Sequence, residues 1–306
     1  MKRLVAYKTD FKLTADIVIA FSESINKHIK NWQSETLHIN EFLKKGIPEY
    51  ADAILTQGIL RGTGHLLKDA AKKNIDRYFI DHAYFNPGYK DEFWLRISKN
   101  KHVINYVKEV SEFRWNKFFL TSNHILPWKD YTQRGKNILI VPPTSAISWY
   151  FNENNWEKKI LSFFENNFSK EVLNKLKIRN KPLEPMVDKN GKYLGLQENT
   201  KIKNIPLEED LNNASIVIAY NSQVALDATL KGIPVIVDKH NCCYPLSFKL
   251  TDLQEGLQNP IFDIEPNRLK LCKWLAYCQF NLNEIKNGFA WKTINNFQNM
   301  DILTYD

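Results

Sequence analysis

Residues 215–237 read SIVIAYNSQVALDATLKGIPVIV. An apolar run ends at Tyr220-Asn221-Ser222, a helix-compatible stretch follows, and Gly232-Ile233-Pro234 opens a second apolar run. Short continuous apolar runs bounded by turn residues are the pattern of strands buried on both faces, and two of them flanking a helix form a parallel βαβ unit. The turn raises a chemical question. Asn and Ser are favoured helix caps. They also stand beyond the carboxyl end of a strand, where open α/β sheets bind ligands and a helix N-terminus favours phosphate. Asp227, five residues past Ser222 in a small, apolar helix, reads either as a solvent-facing carboxylate near the helix start or as an acceptor of ribose hydroxyls.

The same rhythm recurs outward from this stretch. LVAY (4–7), DAILTQGIL (52–60) and RYFIDHAY (77–84) read as strands, with the helix HLLKDAAKKN between the last two. ADIVIAFSESINKHIKNW reads as an irregular segment or a helix, and residues 86–135 as loops and short helices with scattered aromatics. NILIVPPTSA (137–146) is a strand halted by a double proline, which has no N–H for a ladder. Thr144 and Ser145 follow just past that stop. Trp156, Ile160, Phe163, Phe164 and Phe168 follow helical spacing, DKNGKY marks a turn, and LEEDLNNA is a short acidic helix. The C-terminal stretch reads as one or two helices broken near Asn281–Asn283. The pattern predicts an α/β chain, and 306 residues suit two domains.

With 42 Lys+Arg against 34 Asp+Glu the net charge is +8, which suits an acidic partner: nucleic acid, a nucleotide donor or an anionic glycan. No apolar run approaches the ~20 residues that span a bilayer, and charged residues interrupt any signal-peptide core at the N-terminus. Cys242, Cys243, Cys272 and Cys278 form no CxxC pair, so a reduced, cytoplasmic protein is expected. P-loop and GxGxxG patterns are absent, against ATPase and dehydrogenase readings. No DxD appears and the histidines are scattered, so a metal-independent reaction with no cofactor is expected.

Asp81-His82 closes the strand RYFIDHAY, where either side chain suits a general base; the alternative is a turn-capping Asp and a His packed among aromatics. Arg61, Gly62 and Gly64 form a second strand-to-helix turn able to admit a phosphate or sugar. Arg179 and Lys181, in IRNKP, read by themselves as surface charge on an extended segment.

The pattern S-x-x-x-x-D-A-x-x-x-G-x-P-V (222–235) resembles the nucleotide-sugar half of GT-B glycosyltransferases, and most nearly the capsule-type Kdo transferase and capsule-export group with its phage-borne relatives. QGILRGTGHLLKDA with RYFIDHAYF, WLRISKNKH (94–102) and CQFNLNEIKNGFAWKTI (278–294) extend the resemblance along most of the chain. The family usually carries Glu where Asp227 stands.

The resemblance implies two Rossmann-like domains facing across a cleft. An acceptor-side domain would span 1–135, a nucleotide-sugar domain 136–267, and terminal helices 268–306 would brace the first. It places Ser222 on the donor phosphates and Asp227 on the ribose. Asn221, Thr144, Ser145, Arg179 and Lys181 stand around them, the last two to neutralise the leaving diphosphate in place of a metal, and Arg96 stands with Arg61, Gly62 and Gly64 on the acceptor side. The implied reaction is metal-free, inverting transfer from a UDP-, GDP- or CMP-sugar to an acceptor hydroxyl, with no obligate protein partner. The acceptor is expected to be a hydroxymethylated pyrimidine in phage DNA, favoured by the charge and by exposed Trp94, Trp115 and Trp128. A surface glycan or glycolipid is the alternative. A non-catalytic nucleotide-sugar or polysaccharide-binding protein, or a nucleotide-sugar epimerase, are rivals on the same fold.

Overall fold

The computed structural model describes residues 1–88, 93–129, 131–253 and 265–296. The chain forms two compact units, each built on its own sheet. One holds Met1–Ile104, Glu109–Ser122 and the chain from Lys273 onward; the other holds Asn105–Lys108 and Asn123–Cys272.

In the first unit the chain runs β1 (Lys2–Lys8), α1 (Lys12–His28), β2 (Trp32–His38), α2 (Ile39–Lys45), β3 (Ala53–Gln57), α3 (Thr63–Lys72), β4 (Asp76–His82), β5 (Trp94–Lys99) and α4 (Phe113–Phe118). Strands β1 to β4 are parallel. The central strands β1 and β3 carry the apolar runs Leu4–Tyr7 and Ala53–Leu55, buried on both faces. Helix α1 buries Ile17, Val18, Phe21 and Ile25, which recur at helical spacing.

The second unit runs β6 (Asn137–Val141), α5 (Ser145–Phe151), α6 (Trp156–Asn167), α7 (Lys170–Leu173), β7 (Leu176–Ile178), β8 (Leu183–Val187), β9 (Tyr193–Glu198), α8 (Leu207–Asn212), β10 (Ala214–Ala219), α9 (Val224–Leu230) and β11 (Val235–Val237). Its four-stranded sheet, in the order β11-β10-β6-β7, is parallel throughout. Ile138, Ile140, Ile216 and Ile218 form a core with Trp156, Ile160 and Phe164 of α6. Strands β8 and β9 form a separate antiparallel ribbon across the Asp188–Lys192 turn.

Helix α10 (Glu265–Ala276) leads back into the first unit, followed by β12 (Gln279–Asn281), α11 (Leu282–Lys286) and α12 (Phe289–Asn296). Strand β12 pairs antiparallel with β5 and completes the order β12-β5-β4-β3-β1-β2. Arg114 holds this return segment: its guanidinium pairs with Glu284 at 2.5 Å and donates to the carbonyls of Ala276 and Gln279, each at 2.8 Å. Trp291 of α12 packs against Tyr78, Trp32 and Phe21.

The α/β class with two Rossmann-like units is the one expected from the sequence. Three details correct that reading. Residues 94–99 are a strand rather than loop, and 32–38 form an edge strand that the sequence pattern passes over. Trp94 and Trp115 are 4% and 1% exposed, buried among Phe118, Phe119 and Phe85, so neither is the surface aromatic expected for stacking on DNA. Trp128 is partly buried, with the guanidinium groups of Arg134 and Arg268 each 5.6 Å from its ring.

Candidate functional site

Topology fixes where each sheet opens. In the second unit the chain leaves β6 toward β7 on one side, then returns to β10 on the other side of β6 and continues to β11. The carboxyl ends of β6 and β10 therefore flank a topological switch point, the place where open α/β sheets bind ligands. The loop after β6 carries Thr144 and Ser145; the loop after β10 carries Asn221 and Ser222. The structure thus brings four of the donor-side candidates to one edge of one sheet.

Their side chains differ in what they already hold. Thr144 caps α5, accepting from the Ile147 N–H at 3.4 Å. The Ser145 hydroxyl donates to the Pro185 carbonyl at 3.1 Å, while its backbone N–H donates to Glu184 at 2.7 Å, so both groups tie α5 to the β8–β9 ribbon. The Ser222 hydroxyl accepts from the Val224 N–H at 3.3 Å, a local turn bond. Among the described residues the Asn221 amide and the Asp227 carboxylate have no hydrogen-bond partner.

Asp227 lies one helical turn beyond Gln223, whose carbonyl accepts its N–H at 3.2 Å. Burial pushes its carboxyl up to about 6, against the opposing pull of Lys231. The carboxylate is half-buried and is not among the fully buried polar atoms that lack a partner, so it stays open to a ligand or to solvent.

Arg179 is placed differently. Its guanidinium is buried, paired with Asp210 and donating to the Ile205 carbonyl at 2.9 Å. Lys177 pairs with the same carboxylate. Lys181 is exposed and has no ion pair among the described residues.

The sequence reading passed over a third loop at this edge, Asp238-Lys239-His240-Asn241 after β11. The Asn241 amide donates to the Ser222 carbonyl at 3.0 Å and its side-chain carbonyl accepts from the Cys243 N–H at 2.9 Å, which pins the Ser222 turn. The His240 ring stacks on Phe151 at 3.9 Å, with Tyr220 5.7 Å away. Burial pushes His240 below its ordinary value, partly opposed by Asp238. The available signal was the same one that marked Asn221: an apolar run, VIV, stopping abruptly at polar residues.

The first unit repeats the geometry. Its chain goes from β1 to β2, then back across β1 to β3 and β4, so the switch point lies between the ends of β1 and β3. The β3–α3 turn there holds Arg61, Gly62 and Gly64, with the Arg61 guanidinium 5.5 Å from the Phe11 ring centroid. Gly62 has φ 96°, a left-handed conformation that suits glycine. One strand over, Asp81 and His82 end β4. Asp81 pairs with Arg96 of β5 at 2.8 Å and accepts from the His82 N–H at 2.8 Å. Burial would raise the Asp81 carboxyl, but Arg96, His102 and His82 outweigh it and hold it below the ordinary range. Arg96 is thus tied to Asp81 at the end of β4.

No protein-family model and no curated protein matches the chain. Among solved structures it is similar to the β-Kdo 2,4 transferase of KpsC from Thermosulfurimonas dismutans, at TM-score 0.47 and 11% identity over 93% of this chain and 98% of that one. The β-Kdo 2,7 transferase of the same KpsC gives TM-score 0.44 and 13% identity, over 96% and 99%. MurG from Acinetobacter baumannii gives 0.23 and 10%, over 98% and 100%.

Proposed function

We propose that the protein is a GT-B-type glycosyltransferase that binds a nucleotide sugar at the β6–β10 edge of its second unit. The observation that carries the reading is the contrast at that edge. Thr144, Ser145 and Arg179 are committed to the fold, whereas Asn221 and Asp227 keep polar groups without a partner among the described residues. Asp227 takes the ribose hydroxyls, and Asn221 and Ser222 take the diphosphate. Lys181 supplies the positive charge that offsets the leaving group without a metal.

In the reaction an acceptor hydroxyl attacks the anomeric carbon, the bond from that carbon to the phosphate oxygen breaks, and the nucleotide departs with the electron pair. The acceptor hydroxyl gives its proton to a general base; of the two candidates read from the sequence, Asp81 is held low by Arg96 and is the weaker, which favours His82. Attack on the face opposite the nucleotide gives inversion. A surface glycan or glycolipid is the acceptor we place first, because burial of Trp94 and Trp115 removes two of the aromatics a DNA reading relied on. The net charge of +8 keeps hydroxymethylated DNA as the second reading. Either reaction would take place in the cytoplasm.

Calorimetric titration with UDP-, GDP- and CMP-sugars tests the donor site, followed by product analysis on oligosaccharide, glycolipid and hydroxymethylated DNA. One nucleotide class is expected to bind, with affinity lost in Asp227→Ala. Unchanged binding in that variant would refute the site. Binding without transfer to any acceptor would favour the non-catalytic rival.

A further inference from the structure

The β8–β9 ribbon has two unlike faces. Its inner face is tied to α5: Glu184 accepts from the Ser145 N–H at 2.7 Å, and the Ser145 hydroxyl lies 3.7 Å from the Met186 sulfur. Alternation turns Leu183 of β8 to the opposite face; on β9 Leu194 sits at the register shift opposite Met186 and Val187, and Leu196 shares the face of Leu183. They are 46%, 62% and 58% exposed. Leu196 stands directly across from Pro185, two residues along from Leu183, so these apolar groups adjoin rather than scatter.

Charge frames the patch. Lys189 and Lys192 sit in or beside the turn that joins the strands. Both are exposed, and among the described residues neither has a carboxylate partner, while Glu198, across from Leu183, is paired with Lys203. A second copy of this surface would set lysines against lysines. Leucines able to enter an acyl layer, with unpaired cations at headgroup height, match an anionic bilayer instead.

We infer that the outer face of the β8–β9 ribbon is a peripheral docking surface for anionic phospholipid membrane. The ribbon's inner face is bonded to Ser145 at the carboxyl edge of β6, so docking holds that edge close to the bilayer. The inference stands on the exposed surface alone and does not require the glycosyltransferase reading.

The test is co-sedimentation of the full chain with phosphatidylcholine vesicles, with and without 30 mol% phosphatidylglycerol as an example composition, at about 50 and 300 mM salt. Binding is expected only to the anionic vesicles and is expected to weaken at the higher salt. Leu194→Ser with Leu196→Ser, and separately Lys189→Glu with Lys192→Glu, should each lower the partition coefficient by about tenfold or more. All four positions are exposed, so both variants should keep the wild-type melting temperature, which is measured alongside. Absence of wild-type binding, or equal binding by both variants, overturns the inference. So does a dimer seen by sedimentation velocity without lipid and lost in the leucine variant, which would give the face to a second copy.

Discussion

Asp81 and Arg96 face each other across the antiparallel β4–β5 pair, their side chains joined at 2.8 Å. The bond fixes the protonation state of the strand end where a base is proposed. The carboxyl of Asp81 lies lower in the folded chain than in the unfolded one, where it is near 3.9. Its stabilising contribution is therefore complete above the unfolded value and is lost as pH falls through the folded value. Arg96→Ala should cost about 1–3 kcal/mol at neutral pH, because a half-buried carboxylate loses its cation. The cost should shrink as pH falls below about 4. Urea unfolding at several pH values, with Asp81→Asn as the comparison, checks both statements.

Asp227 has the opposite sign. Its carboxyl is raised to about 6 in the fold, so between the unfolded value and about 6 the native state binds more protons and stability declines as pH rises. Asp227→Asn should therefore stabilise the protein above pH 7, by an amount on the order of 1–2 kcal/mol, and leave it unchanged below about pH 4. Binding should move the other way. An ionised carboxylate accepts ribose hydroxyls, so nucleotide affinity should rise from pH 5 to pH 7 in the wild type and lose that slope in Asp227→Asn. Calorimetry across the pH range reads the first effect by unfolding and the second by titration.

The strands that could be read in the sequence were those buried on both faces, such as Ile216–Ala219 and Leu4–Tyr7, where apolar residues leave no ambiguity of register. Strand β2, WQSETLH, lies at a sheet edge with one polar face, and β12 has only three residues within a helical context. Neither has enough local pattern to declare itself. At the candidate site Asn221 and Asp227 were legible because they interrupt an apolar run. The environment of Arg179 was not, since its partner Asp210 lies 31 residues away and only the tertiary fold joins them.

Arg179 also separates a structural role from a chemical one. Both it and Asp210 are buried, and Lys177 still pairs with that carboxylate in Arg179→Ala, so the loss of the buried cation should lower stability by about 1–3 kcal/mol. Adding Asp210→Ala should recover part of that loss. Lys181→Ala, at an exposed position, should leave the melting temperature unchanged and weaken diphosphate binding only. Thermal unfolding beside nucleotide titration distinguishes the two residues.

Gly232 shows why the chain from Asn123 onward belongs to the second unit. It ends α9 with φ 74°, and the Ile233 N–H reaches back to the Ala228 carbonyl at 2.9 Å, closing a Schellman turn. The missing side chain leaves room for the Pro127 carbonyl, which a Cβ would meet at 2.1 Å. That approach lets Lys129 donate to the Gly232 carbonyl at 3.0 Å and Leu126 to the Leu230 carbonyl at 2.8 Å. Gly232→Ala must therefore adopt a left-handed backbone and also push the 126–129 strand of chain away. The left-handed conformation alone costs about 1–2 kcal/mol, and each displaced hydrogen bond adds about 1 kcal/mol, for a loss of about 2–4 kcal/mol. Gly58 has φ 69° and open space around its Cβ position, so Gly58→Ala should show the left-handed penalty alone. Chemical denaturation of the two variants is the measurement. Equal losses would mean that the Pro127 contact contributes nothing and that the segment after Asn123 is held to the second unit by other bonds.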